Sequence, residues 1–192
     1  MNWLDLITTI LGLAYIIFEY RASRWMWVVG IAMQLLGIVL YYQKGLYADC
    51  GMEFYYLAMS CYGLVKWSRP PNPSPKGEGK TGGIRSIVNT PSFFWGVGGG
   101  FLLLWFIIWW LLTTFTDSRV PIADSFTTAL SIVGIWMLTQ KYLEQWFVWI
   151  AVDIVTSALY FYKDIPFKAS LYALYVVIAV FGYRKWKRDM ES

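Results

Sequence analysis

Asp153 stands midway along an apolar run, Trp146–Tyr162, with no basic residue at similar depth to neutralise it. An ionisable side chain at the middle of a bilayer costs roughly 2.5–3.5 kcal/mol on insertion scales, so such a group normally faces a cavity or a partner. A carboxylate without a protein cation takes up a proton or awaits a cationic or hydrogen-bonding ligand. At helical period Trp146, Trp149, Asp153, Thr156 and Tyr160 share one face. Trp and Tyr around a carboxylate suit a flat, positively charged ring, each cation–π contact being worth ~0.5–2 kcal/mol. The same aromatic faces also serve helix packing. A second stripe, Asp49, Glu53, Tyr56 and Ser60, follows i, i+4, i+7, i+11. Glu53, one turn inside its helix, either joins the site or snorkels to the outer interface. His is absent, and Cys50 and Cys61 show no metal-ligand spacing. Without a nucleophile–base pair, a phosphate loop or a ligand cluster, the pattern implies neither enzyme nor metal nor cofactor.

Membrane-spanning helices must position these groups. Only 15% of the 192 residues are charged and 58% are hydrophobic, whereas soluble domains carry about a quarter charged residues. Seven apolar segments read as spans: Trp3–Phe18, Trp25–Tyr42, Cys50–Trp67, Phe94–Phe115, Ala123–Thr139, Trp146–Tyr162 and Ala169–Trp186. The first lacks a basic leader, contains Asp5 and has no small-residue cleavage site, so it reads as a span and not a signal peptide. Short connections such as RASR and QKGLYA make neighbouring helices antiparallel hairpins. Ser68–Ser92 is rich in Pro, Gly and charge and reads as a flexible solvent-side linker.

Shifting Leu4–Trp67 by 119 residues lays it without a gap on Ala123–Trp186. Asp5/Asp124, Thr8/Thr127, Thr9/Thr128, Trp27/Trp146, Tyr41/Tyr160, Lys44/Lys163, Gly63/Gly182, Lys66/Lys185 and Trp67/Trp186 then coincide. Apolar composition alone does not align such residues in one register, which implies an internal duplication. The expected fold is therefore all-α, a 3+1+3 bundle of two parallel three-helix repeats, as in SWEET-type folds. Its parts are 1–67 (first repeat), 68–93 (linker), 94–122 (connecting helix and outer loop), 123–186 (second repeat) and 187–192 (basic tail). The duplication pairs Asp153 with Gln34 on the face Trp27, Gly30, Gln34, Gly37, Tyr41. Asp5 and Asp124, each preceding Thr-Thr at a helix start, are expected to cap or to hydrogen-bond between repeats. Lys44, Arg119, Lys163 and Lys168 fall on one side of the membrane, and the other twelve of the sixteen Lys and Arg on the opposite side. That side is cytoplasmic by the positive-inside rule, with the N-terminus out and the C-terminus in. The net charge of +4 thus reflects topology and lipid, not nucleic acid.

At these residues the sequence resembles the PnuC family of vitamin transporters, whose signature W-x-x-W-x-x-x-(N/D) is matched by Trp146, Trp149 and Asp153 in EQWFVWIAVD. ADSFTTALS, GLYAD and the endings GLVKW and GYRKW carry the resemblance over essentially the whole chain. It implies a SWEET-like fold in a bacterial inner membrane and facilitated, alternating-access diffusion of nicotinamide riboside, trapped by cytosolic phosphorylation. It implies ligand contact by Trp146, Trp149 and Asp153; face and repeat geometry add Gln34, Glu53, Tyr41 and Tyr160. Asp153 stands where many members have Asn, and Glu53 where Gln is familiar. Two acidic groups suit any cationic ring, so thiamine is the alternative cargo. A non-transporting membrane scaffold with purely packed aromatic faces is the alternative of another class. The expected partners are the vitamin, the lipid bilayer and a homo-oligomeric copy.

Overall fold

The computed structural model describes residues 3–43, 47–69, 83–86, 91–116, 120–162 and 166–191. Seven helices account for nearly all of them: α1 (Trp3–Tyr20), α2 (Trp25–Gln43), α3 (Tyr47–Ser68), α4 (Pro91–Phe115), α5 (Pro121–Thr139), α6 (Gln145–Tyr162) and α7 (Pro166–Glu191). Prolines open α4, α5 and α7, where a missing N–H costs nothing and φ is already helical. Each helix coincides with one of the seven apolar segments, and most begin a few residues earlier. Helix α7 runs beyond the apolar segment through the residues read as a basic tail, supported by a Lys185–Asp189 pair at 2.5 Å in i,i+4 register.

Among the described residues, four helices are long and apolar enough to cross a membrane, at Trp25–Gln43, Trp95–Phe115, Pro121–Thr139 and Gln145–Tyr162. The described part of α1 contributes a shorter apolar stretch, Ile10–Tyr20. Helices α3 and α7 are more polar because they carry Glu53 and Lys66, and Lys168 and the Arg184–Arg188 cluster.

The chain forms two compact units, Met1–Lys80 and Thr81–Ser192. In the first, α2 packs against both α1 and α3; in the second, α4, α5, α6 and α7 pack in chain order. Trp105 Nε1 of α4 donates to Ser125 Oγ of α5 at 3.1 Å, and Ser157 Oγ of α6 donates to the Ala169 carbonyl of α7 at 2.8 Å.

The 119-residue register reappears in the geometry inside each unit. Trp27 and Trp67 meet edge to face at 5.6 Å and 87°, Trp146 and Trp186 at 5.5 Å and 88°. Each indole lies on a glycine of the neighbouring helix: a Cβ added to Gly63 would meet Trp27 at 2.5 Å, and one added to Gly182 would meet Trp146 at 2.5 Å. The turns match too. Ala22 and Lys141, 119 residues apart, both have positive φ, 49° and 59°.

Two expectations change here. Asp124 is not the cap of α5: Val120 holds that position with no side-chain cap, and Asp124 donates its own N–H to the Val120 carbonyl at 3.0 Å, within the first turn. The Thr127 and Thr128 hydroxyls donate to carbonyls one turn back, Thr128 to Asp124 at 2.7 Å. The side chains of Asp5, Thr8, Thr9 and Asp49 lie outside the described residues, as do Lys44 and Lys163. The linker, in turn, is not solvent-side throughout. Arg85 forms a parallel bridge with Tyr142: its N–H donates to the Lys141 carbonyl at 3.0 Å, and its carbonyl accepts from Leu143 N–H at 2.8 Å. Ser86 Oγ donates to Glu144 Oε1 at 2.5 Å, and Ile84 is buried beneath. An apolar side chain two residues before a hydroxyl lets an otherwise polar stretch dock on the α5–α6 turn. Burial in that turn pushes the Lys141 ammonium below the ordinary lysine range.

Candidate functional site

Helix α6 carries the expected face, and the second unit treats its residues differently. Trp146 is 1% exposed, wedged over Gly182 and against Trp186 as Trp27 is in the first unit. Its geometry is that of a helix-packing residue. Trp149 lies on α5, where a Cβ at Gly134 would stand 3.3 Å from its Cζ2; its buried indole N–H has no hydrogen-bond partner among the described residues. Asp153 is 6% exposed and makes no hydrogen bond or ion pair among the described residues. The Tyr175 phenol of α7 lies within electrostatic reach of it. A desolvated carboxylate with no fixed donor is costly unless a ligand completes it.

Tyr160 stacks on Tyr172 of α7 at 5.4 Å and 21°, and Tyr172 meets Tyr175 edge to face at 5.6 Å. Lys168 Nζ sits 5.5 Å from the Tyr160 ring centroid, so this ring already holds a cation. Tyr172 and Tyr175 were not among the expected site residues. The signal for them was present: moving the Glu53–Tyr56 stripe by 119 residues lands on Tyr172 and Tyr175.

In the first unit the faces of α2 and α3 meet. The Glu53 carboxylate lies over Gly37 of α2, where an added Cβ would be 2.7 Å from its Cδ and 2.9 Å from Oε1. Glu53 is half-buried and folded against the neighbouring helix, not extended to the interface. Gln34 Oε1 is buried with no partner among the described residues. Tyr41 is half-buried near the end of α2. Gly30 receives the Tyr15 ring of α1 at 3.2 Å and Ser60 Oγ of α3 at 3.1 Å, measured from an added Cβ. The duplication has exchanged knob and hole: α1 offers an aromatic to a glycine of α2, whereas α5 offers a glycine to an aromatic of α6.

Buried, uncompensated polar groups on long apolar helices are what a transporter uses to select a solute, and the known proteins that this chain resembles are of that kind. The sequence profile described as "Nicotinamide mononucleotide transporter" matches residues 2–188. The riboflavin/roseoflavin transporter RibM of Streptomyces davaonensis is 25% identical over 96% of this chain and 84% of its own length. The nicotinamide riboside transporter PnuC of Escherichia coli is 21% identical over 97% of this chain and 85% of its own. A crystal structure of the vitamin B3 transporter PnuC superposes with a TM-score of 0.76 at 21% identity, covering 98% of this chain and 82% of that one. The protein is an integral membrane transporter, not an enzyme. It belongs to the nicotinamide mononucleotide transporter family, that of PnuC.

Proposed function

We propose that this chain is a facilitative, alternating-access transporter of nicotinamide riboside, a vitamin B3 nucleoside with a cationic ring. The observation that carries this is Asp153, a buried carboxylate that makes no hydrogen bond or ion pair among the described residues, one turn from the unpartnered indole N–H of Trp149. A nicotinamide ring supplies the missing positive charge and stacks on an aromatic face. Trp149 and Asp153 then touch the ring, with Trp146 setting the packing of α6 on α7. Tyr160, already stacked and paired with Lys168, acts at the outer end of that face. Within the first unit, Gln34, Glu53 and Tyr41 are the proposed substrate-binding residues.

The same reading takes the fold as two parallel three-helix repeats joined by α4, in a bacterial inner membrane, N-terminus outside and C-terminus in the cytoplasm. Cytosolic phosphorylation traps the cargo, and no ion gradient drives it. The lipid bilayer and a second copy of the chain are the macromolecular surroundings, with no role for nucleic acid. The acidic residues Asp153 and Glu53, one in each unit, also favour thiamine, a second cationic vitamin, over a neutral ring such as riboflavin.

Liposomes containing the purified protein test the assignment. Labelled nicotinamide riboside should equilibrate across the membrane without a proton or sodium gradient, and unlabelled nicotinamide riboside should compete at lower concentration than thiamine or riboflavin. Thiamine competing better would transfer the assignment to thiamine. No uptake of any of the three above protein-free liposomes would leave the scaffold reading in its place.

A further inference from the structure

The two units differ in the half of their own helices nearer the α1–α2 turn in the first and the α5–α6 turn in the second. In the first unit Tyr15, Glu19 and Ser60 gather there, with Gln34 one turn above Gly30 on α2. Glu19 is 4% exposed and Ser60 0% exposed. Glu19, one turn along α1, and Tyr56 of α3 both lie within electrostatic reach of the Tyr15 phenol. The residues at the same register in the second unit are Gly134 for Tyr15, Leu138 for Glu19 and Ala179 for Ser60, with Leu138 0% and Ala179 1% exposed. The fold therefore packs these positions tightly with apolar side chains, and packing alone calls for no polar group in the first unit.

Ser60 carries the argument further. A hydroxyl inside a membrane helix ordinarily donates to the carbonyl one turn back, as Thr113, Thr116, Thr127 and Thr128 do. Ser60 Oγ is fully buried and has no partner among the described residues. It points at the space over Gly30, which it shares with the Tyr15 ring. An unpartnered hydroxyl and the unpartnered Gln34 carbonyl, beside a buried carboxylate, match the donors and acceptors of a polyol.

We infer that Ser60, Tyr15 and Glu19, with Gln34, form a subsite inside the first unit that recognises hydroxyl groups of the cargo, the ribose of a nucleoside or a comparable polyol chain. Ser60 Oγ exchanges a hydrogen bond with one cargo hydroxyl, and Glu19 accepts from another. The inference rests on the transport reading and adds to it the residues that discriminate a ribosylated ring from a bare one. A site built to hydrogen-bond a hydroxyl strongly rejects the analogue that lacks it.

The test compares Ser60→Ala and Glu19→Gln with the wild type in detergent, by calorimetric titration and thermal melting. One probe is nicotinamide riboside, and the other is nicotinamide methylated on its ring nitrogen, the same cation without ribose. Ser60→Ala should weaken nicotinamide riboside about five- to twentyfold and leave the methylated ring within about twofold. Because it removes a hydroxyl that has no protein partner, it should not lower the melting temperature. Glu19→Gln should show the same selectivity between the probes. Unchanged affinity for the nucleoside in both variants would overturn the inference, and so would equal weakening of both probes with a lowered melting temperature. A wild-type protein that binds neither probe would instead overturn the transport reading itself.

Discussion

Asp153 and Glu53 are acidic side chains within the helices, and their surroundings give them different work. Glu53 is folded onto α2 in the notch left by Gly37, so its position depends on that glycine. Gly37→Leu should push the carboxylate away and weaken nicotinamide riboside binding by about three- to tenfold, an effect on the order of 1 kcal/mol; titration of the purified variant checks it. Asp153 is buried and makes no hydrogen bond or ion pair among the described residues, which leaves it open to a partner from outside the protein. Periodicity made this face legible, because spacing along one helix is a one-dimensional property. What each side chain touches was not legible. Trp146 and Trp149 look alike in the motif, yet one meets Gly182 of α7 and the other Gly134 of α5. That difference is set by packing between helices and not along the motif, because the glycine that meets Trp146 lies 36 residues after it and the one that meets Trp149 lies 15 residues before it.

At the scale of elements, the Trp–Gly–Trp clasp fixes how α2 meets α3 and how α6 meets α7. Adding one methyl at Gly63 or Gly182 places it within 2.5 Å of a buried indole. Overpacking of this kind costs about 1–3 kcal/mol, so Gly63→Ala and Gly182→Ala should each lower the melting temperature, while Gly99→Ala, where nothing lies within 4 Å, should not. The repeated Gly-x-x-Lys-Trp ending pointed to a duplication from sequence alone, and the clasp supplies its physical reason. The docking of residues 84–86 on the α5–α6 turn was not legible. Its two backbone hydrogen bonds involve Arg85, Lys141 and Leu143, whose side chains carry no record of the pairing, and nothing in the polar stretch singled out Ile84 for burial over Ile87 and Val88. Ser86→Ala should remove the bond to Glu144 and speed amide hydrogen exchange at Arg85 and Leu143, read by mass spectrometry.

For the whole molecule, the helix count and the order of elements followed from apolar run lengths, because a bilayer leaves the backbone few alternatives to a helix. The polar helices α3 and α7 pack within their own units despite their charge, each held by the neighbour whose tryptophan sits on its glycine. The proposed orientation rests on where Lys and Arg lie. A single cysteine at Arg69, in a background with Cys50 and Cys61 replaced, should react with a membrane-impermeant thiol reagent from the cytoplasmic side only. Labelling from outside would reverse the proposed topology.

The central claim is that a buried carboxylate of α6 is completed by a cationic cargo. Its most direct test is the dissociation constant of nicotinamide riboside for purified wild-type protein and for Asp153→Ala, measured at one pH and salt concentration. Losing a charge-assisted contact should weaken binding by about ten- to a hundredfold, with the protein still folded by its melting profile. An Asp153→Ala protein that binds within about twofold of wild type would contradict the account.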